Sequence, residues 1–255
     1  MPTPPLSREE QEFLSTYDPS RYPRPSVTAD IVIFTMINGA LYVLLIKRGG
    51  HPYKDCWALP GGFLEAGKES VDDAAARELY EETGVRDVYL KQLYTFSQPD
   101  RDPRTHVVSV AYTALVPRCK FEYQAGDDAR DARLFRVEYG DKGLFLIGDE
   151  ISLNENYLAF DHAEILKTAI TRLRGRVSYE PDAFELLNDK SAFTVYELKQ
   201  AFEAVMGQEL NTANFRRMFT RNYIKTGFAE PVGESVPSKR GPAAPLYKIS
   251  NQERS

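Results

Sequence analysis

Glu78, Glu81 and Glu82 constrain this chain most, because they stand at i, i+3 and i+4 in the run GGFLEAGKESVDDAAARELYEETGV, residues 61–85. In a helix these three carboxylates are neighbours on one surface. They repel one another unless a cation lies among them. A hard divalent ion with oxygen ligands, Mg²⁺ or Mn²⁺, suits such a set and typically works on phosphates. The run carries its own helix punctuation: Ser70 suits an N-cap with Asp73 as its capping-box partner, and Gly84 suits the left-handed position that ends a helix. Arg77 stands four residues before Glu81 and can pair with it. Val71, Ala74, Ala75 and Leu79 are free to pack elsewhere. Gly61 and Gly62 let the backbone bend tightly and approach a ligand or the following helix. A glutamate triad alone reads more simply as a solvated acidic face. Joined to Gly61, Gly62, Arg77 and Gly84 at these spacings, it reads as a metal site built on one helix.

The chain has 255 residues and a net charge of −5, so no overall basic field advertises nucleic acid. The sum hides an asymmetry. Residues 1–150 carry 18 Lys and Arg against 24 Asp and Glu, whereas residues 211–248 hold seven basic residues against two acidic ones. An acidic half followed by a basic patch suggests two jobs in one chain. Cys56 and Cys119 are the only cysteines, and their separation favours buried thiols over a disulfide framework. The first twenty residues lack the apolar core of a signal peptide, and no apolar run approaches a membrane span, so a cytoplasmic protein is expected.

Residues 1–27 are Pro-rich and polar and read as an arm with a short helix from Ser7 to Tyr17. The β-rich runs DIVIFTM (30–36) and LYVLLIK (41–47) flank Asn38-Gly39, a hairpin signal. Trp57 to Pro60 reads as a short strand, and strand-like runs follow at 87–96, 106–116 and 132–137. The first 150 residues therefore predict a mixed α/β (α+β) sheet flanked by helices. Beyond about residue 155 the pattern turns helical. Apolar residues in 161–174 fall near helical spacing. Thr194 and Glu197 form a capping box for a helix over 194–206, which Gly207 ends. A third helix starts near Asn211 or Thr212 with Phe215, Met218 and Phe219 on one face. Two β-like ends, 228–232 and 246–249, then enclose the basic tip SVPSKRGPAAP. Helix, helix and ribbon is the order of a winged helix-turn-helix.

The first of these regions resembles the Nudix box, in which a glycine and a glutamate precede Arg-Glu-apolar-x-Glu-Glu-x-Gly-apolar. The resemblance implies a Nudix fold over residues 28–155, with Glu78, Glu81 and Glu82 as metal ligands and Arg77 as their orienting partner. Glu69 matches the earlier box glutamate. Six residues separate Gly62 from Glu69, one more than the family's usual five. Family enzymes attack a pyrophosphate with a metal-activated water, and Glu82 and Asp128 are the candidate bases. Asp128 lies with Asp127 and Asp131 before the last strand, where each alone is also an ordinary turn residue.

The Pro- and Asp-rich segment SQPDRDPRTH (97–106) reads as a turn presenting Arg101, Arg104 and His106. Together with Arg48, Gly61 and Gly62 these are the candidate substrate contacts, since arginine forks suit phosphate. The stretch RDPRTHVVSVAY is similar to ADP-ribose pyrophosphatases of the Nudix family, which cleave ADP-ribose to AMP and ribose 5-phosphate. That likeness favours a nucleoside-diphosphate sugar as ligand. In a winged helix the second helix of the turn enters the major groove. Here it would be residues 212–225, offering Asn214, Arg216, Arg217, Arg221 and Lys225, with Lys239 and Arg240 at the wing tip. A solvated charge run is the plainer alternative. The segments LAFDHAEI, PDAFELL, FTVYELKQAFEAVMG, NFRRMF and PLYKIS resemble the NrtR-type Nudix-related transcriptional regulators of NAD metabolism. That resemblance implies a linker helix and DNA-binding domain over 156–255, operator DNA as partner and a homodimer. Three roles stay open: a regulator that also hydrolyses, a catalytically inactive metabolite-sensing repressor of NAD or sugar metabolism, and a pyrophosphatase whose second domain serves dimerisation.

Overall fold

The apolar run DIVIFTM lies at the centre of a nine-stranded sheet. The structure, a computed structural model, describes residues 5–121, 132–237 and 242–250. In chain order, helix α1 (Arg8–Thr16) precedes strands β1 (Ser26–Ile37), β2 (Ala40–Lys47), β3 (Trp57–Ala58) and β4 (Gly61–Phe63). Helix α2 (Val71–Thr83) is followed by β5 (Tyr89–Phe96), β6 (Val107–Leu115), β7 (Ala132–Gly140), β8 (Gly143–Ile147) and β9 (Ser152–Asn154). Helix α3 (His162–Arg176) leads to β10 (Phe193–Thr194), α4 (Val195–Met206), α5 (Thr212–Phe219), β11 (Ala229–Val236) and β12 (Ala244–Ile249).

The large sheet runs β5-β6-β1-β2-β7-β8-β9, with β3 on β2 and β4 on β1. Asn38 and Gly39 take positive φ values of 50° and 76° and close the β1–β2 hairpin, as this dipeptide does in type I′ turns. Strand β1 pairs in parallel with β6 from Ser26↔Val107 to Phe34↔Leu115. Both faces of β1 are buried, and its alternation divides the core. Ala29, Ile31 and Ile33 join Ala74, Ala75 and Leu79 of α2. Val32 and Phe34 join Ile165, Leu166 and Ile170 of α3. That second core continues without a break into Phe184, Phe193, Leu198, Phe202, Phe215, Phe219 and Tyr223. Each fully buried Leu, Ile or Phe is worth roughly 1.5–3 kcal/mol, so the two halves share their stabilising interior.

Helix α3 is anchored at both ends. At its head, Ala159 N donates to Trp57 O at 2.8 Å, and Leu59 N donates to His162 Nδ1 at 2.8 Å. At its far end, Arg174 donates to Tyr139 O at 2.9 Å and to Val205 O at 3.1 Å. Arg176 donates to Asp182 at 2.8 Å and to the Tyr89 hydroxyl at 3.1 Å.

The second unit has the helix–helix–ribbon order. Thr194 and Glu197 make a reciprocal capping box, and Gly207 ends α4 in the left-handed conformation. The small sheet runs β10-β12-β11. The helix expected over 212–225 is not uniform: α5 stops at Phe219 and a π-helical turn, Thr220–Ile224, continues it. Side chains four apart on an α-helix drift by roughly 40°. The wider turn keeps Phe219 and Tyr223 in one aromatic core, 6.0 Å apart, with Tyr223 4.9 Å from Phe184. Helix α1 has its Ser7–Glu10 capping box, but none of its residues is buried. Cys56 is half-buried and Cys119 is exposed rather than buried; both are free thiols. No described helix is long and apolar enough to cross a membrane.

His162 gives the fold a pH signature. Burial holds its pKa below the ordinary value, so the ring is neutral in the fold while the unfolded chain takes up a proton below about pH 6.5. The unfolded state then binds more protons, and stability is full above that pH and declines as pH falls toward the folded value, by up to about 1.4 kcal/mol per unit. Chemical denaturation between pH 7 and 5 should show this decline. His162→Asn, which keeps an acceptor for Leu59 N–H, should flatten it; an unchanged slope would remove His162 as its source.

Candidate nucleotide site and DNA-binding surface

Strand β4 and helix α2 build the first site. Gly61 and Gly62 pair with Asp30 and Ala29 of β1. A Cβ on Gly62 would collide with the Glu78 carboxylate, and one on Gly61 would strike Ala29 O and Asp30. The glycine pair is therefore what allows α2 to bring Glu78 against the strand. Ser70 and Asp73 cap α2 reciprocally, and Gly84 ends it with φ 68°, so the helix has the register its sequence signals specify.

The three glutamates occupy different environments. Glu78 is buried, Glu81 is exposed and Glu82 is half-buried. Arg77 Nη1 lies 2.7 Å from Glu78 and 3.5 Å from Glu81. Its main partner is Glu69, which accepts from Nε and Nη2 at 3.2 and 2.9 Å. The i, i+4 partnership with Glu81 is thus subordinate to a fork on Glu69. The additional residue between Gly62 and Glu69 is taken up in a turn where Lys68 N donates to Glu65 O at 3.0 Å. Glu65 N also donates to Glu69 at 3.0 Å, so Glu69 still reaches Arg77.

Burial raises the pKa of Glu78, outweighing its contact with Arg77. Burial also raises that of Glu82, reinforced by the charges of Glu78 and Glu81. Among the described residues Glu82 has no cationic partner. Its donor chemistry and its surroundings fit a hard divalent ion. As they stand, no three His, Cys, Asp or Glu side chains among the described residues converge to hold a metal.

The arginine turn differs from the exposed surface read in the sequence. Arg101 is buried, with its side chain 4% exposed, and forks onto Asp161 at 2.9 and 2.6 Å. It also lies 3.6 Å from Asp30, which accepts a short hydrogen bond from Ser109. Its donors are committed to the interior, so its placement is structural. Arg104 is exposed, forks onto Asp102 at 3.0 and 2.7 Å and lies 5.4 Å from the Phe63 ring. Arg48 is half-buried; its Nε donates to Pro52 O at 2.9 Å, and its guanidinium lies 4.8 Å from the Phe160 ring. The structure thus gathers Arg48 and Arg104 at the Phe160 ring, with Arg104 also near Phe63, the residue after Gly62. His106 is exposed, with Nε2 3.2 Å from Ser97 O. Asp127, Asp128 and Asp131 lie outside the described residues. Phe160, Asp161 and His162 escaped local sequence reasoning, since no periodicity marks them; only the whole segment LAFDHAEI carried a signal.

On the second unit, Phe215 and Phe219 of α5 are buried, while Asn214, Arg216, Arg217, Arg221 and Lys225 are exposed along one continuous stretch. Asn211 caps the helix through Asn214 N at 3.0 Å. Arg217 donates to Asn214 Oδ1 at 2.5 Å, and Arg221 to Asn222 Oδ1 at 2.9 Å. No described carboxylate pairs with these four basic residues, whereas Lys248 pairs with Glu230 at 3.1 Å. Lys239 and Arg240 lie outside the described residues.

The NUDIX domain family matches residues 24–143, and the NrtR DNA-binding winged helix domain family matches residues 183–249. The chain is 31% identical over 245 residues to the ADPR responsive transcriptional repressor NtrR of Acinetobacter baylyi, covering 96% of this chain and 90% of that protein. It is also similar to an ADP-ribose pyrophosphatase of Methanocaldococcus jannaschii, 42% identical over 125 residues that make up 49% of this chain and 63% of that one. Its structure is similar to that of Shewanella oneidensis NrtR complexed with a 27mer DNA, with a TM-score of 0.67 and 29% sequence identity, covering 88% of this chain and 93% of that chain. With its box helix, its exposed basic helix and a relative matched along nearly its whole length, the chain belongs to the NrtR-type Nudix-related transcriptional regulators.

Proposed function

We propose that this protein is an ADP-ribose-responsive transcriptional repressor of NAD metabolism, acting as a homodimer on operator DNA, and that its Nudix domain also hydrolyses the ligand. The observation that carries this reading is the anchoring of α3. Its head is bonded to the segment 57–59, which runs directly into Gly61 and Gly62, and its far end is bonded to Val205 and Asp182 of the second unit. A helix of fifteen residues spans about 22 Å. A ligand that shifts its head has a stiff path to the DNA-binding unit.

In this reading Arg48 and Arg104 take the phosphates, and the Gly61–Gly62 backbone lies against the pyrophosphate. Glu78, Glu81 and Glu82 would hold Mg²⁺ or Mn²⁺, which when bound supplies charge neutralisation of the pyrophosphate. Arg77, fixed by Glu69, sets the rotamer of Glu78. Glu82, half-buried at the end of the carboxylate row, accepts the proton that the attacking water loses. Water adds to phosphorus and the bridging P–O bond breaks, giving AMP and ribose 5-phosphate. Asn214, Arg216, Arg217, Arg221 and Lys225 face the operator, with Lys239 and Arg240 on the wing. A second reading, binding without cleavage, is favoured by the seat of Arg77 on Glu78, which occupies a carboxylate that a metal would need.

Release of AMP from ADP-ribose with Mg²⁺ or Mn²⁺ separates the two readings. Hydrolysis should vanish with a chelator and in Glu82→Gln, while operator binding by that variant persists; absence of AMP at high protein concentration leaves the pure sensor. In gel shifts Arg217→Ala should weaken operator binding by about 1–3 kcal/mol, and an unchanged affinity would move base recognition elsewhere. ADP-ribose should lower operator affinity of the natural protein by about tenfold or more, within the usual range of allosteric coupling. Arg174→Met should keep both separate affinities and bring that ratio near one. Full coupling in this variant would mean that α3 is not the path.

A further inference from the structure

A separate cleft, of about 740 Å³, opens where the edge of the large sheet meets the β11–β12 ribbon. Strand β5, the last strand of that sheet, contributes Tyr89 and Lys91. One wall is the 3-10 turn Pro181–Leu186 with Glu180 before it. The ribbon supplies Glu230 and Lys248, with Phe228 just before it. None of the lining residues belongs to the carboxylate helix or to the arginine turn. The floor is closed by groups that satisfy one another. Asp182, its side chain 2% exposed, accepts from Arg176 Nε at 2.8 Å, and Arg176 also donates to the Tyr89 hydroxyl at 3.1 Å. Burial, aided by the Asp182 charge, pushes the Tyr89 pKa up, so the hydroxyl keeps its proton. Phe184 is fully buried behind them, its ring centroid 5.2 Å from that of Phe228.

The charges of the lining fall into pairs, with two exceptions. Lys190 pairs with Glu185, Lys248 with Glu230 at 3.1 Å, and Asp182 with Arg176. Lys91 and Glu180 line the same cleft, yet neither has an ion-pair partner among the described residues, and they do not pair with each other. A cleft of this size, at a junction between two units, suits a small organic ligand. The lining decides the class of that ligand. A nucleotide would bring several negative charges to four carboxylates (Glu180, Asp182, Glu185 and Glu230) and a single uncommitted cation, Lys91. A wholly apolar ligand would desolvate Lys91 and Glu180 without giving them partners, which is costly. A molecule with one anionic end, one cationic end and a ring satisfies both groups and also uses the aromatic surface of Phe228 and Tyr89.

We propose that this cleft is a second ligand site, for an amphoteric small molecule of the class of short peptides with free termini and an aromatic side chain. Lys91 takes its carboxylate, Glu180 takes its ammonium group, and Phe228 and Tyr89 take its ring. The site is independent of the nucleotide and DNA readings of the two units.

Calorimetric titration of the full chain with three probes tests it: the dipeptide alanyl-phenylalanine, its N-acetyl form, which lacks the cation, and its C-terminal amide, which lacks the anion. The free dipeptide should bind with a Kd below about 1 mM. Each blocked form should bind about tenfold more weakly, the scale of one lost charge-assisted hydrogen bond. Lys91→Met, at an exposed position, should weaken the free dipeptide to the level of its amide and leave the amide unchanged. Glu180→Gln should do the same with respect to the N-acetyl form. Lys91→Arg, which keeps the charge, should preserve the preference for the free carboxylate. No saturable binding of the dipeptide up to about 10 mM, blocked forms that bind as well as the free one, or a Lys91→Met variant that loses all three probes equally would overturn the proposal. If Glu180→Gln does not fold, the Lys91 variants alone decide.

Discussion

The buried fork of Arg101 on Asp161 holds the head of α3 to the sheet, and both functional surfaces depend on it. Arg101 comes from the turn before β6, Asp161 from the residue before α3, and Asp30 from the central strand. Removing one partner of such a pair leaves an uncompensated charge and typically costs about 3–5 kcal/mol. His162 adds a neutral contact to Leu59 N–H, two residues before the glycine pair. The glycine strand β4, the central strand and the connecting helix therefore meet at one buried polar knot.

That knot sits at one end of a core that does not stop between the two units. Ile165, Leu166 and Ile170 of α3 belong to the same apolar cluster as Phe184, Phe202 and Phe219. The Arg174 guanidinium bonds the sheet at Tyr139 and α4 at Val205, and Gly207 leaves it room, since a Cβ there would lie 2.8 Å from Arg174 Nη2. A loosely tethered DNA-binding unit would be indifferent to the occupancy of the Nudix domain. A shared core and a doubly anchored helix make the two arrangements interdependent, which is the physical requirement for coupling.

Local chemistry was legible in the sequence. Asn38-Gly39, the Ser70–Asp73 and Thr194–Glu197 boxes, and Gly84 and Gly207 each act within a few residues, and each forms as read. The carboxylate helix and the basic face of α5 were legible for the same reason. What escaped reading depends on distant partners. Arg101 looks exposed until Asp161, sixty residues on, is placed beside it. Nothing near Cys119 in sequence signals its exposure. The π-helical turn at Thr220–Ile224 answers to an aromatic core assembled from Phe184, Phe219 and Tyr223. Phe160 has meaning only once the 48–56 loop folds against it.

In the function proposed for this protein, the nucleotide site and the DNA surface are two readouts of one equilibrium. Thermodynamic linkage makes the effect reciprocal: whatever factor ADP-ribose takes from operator affinity, operator DNA must take from ADP-ribose affinity. The most direct measurement is calorimetric titration of ADP-ribose, in EDTA, into the free protein and into the protein saturated with operator DNA. ADP-ribose should bind the complex more weakly, by the same factor by which saturating ADP-ribose weakens operator binding. Equal ADP-ribose affinity for the free and the DNA-bound protein would contradict it.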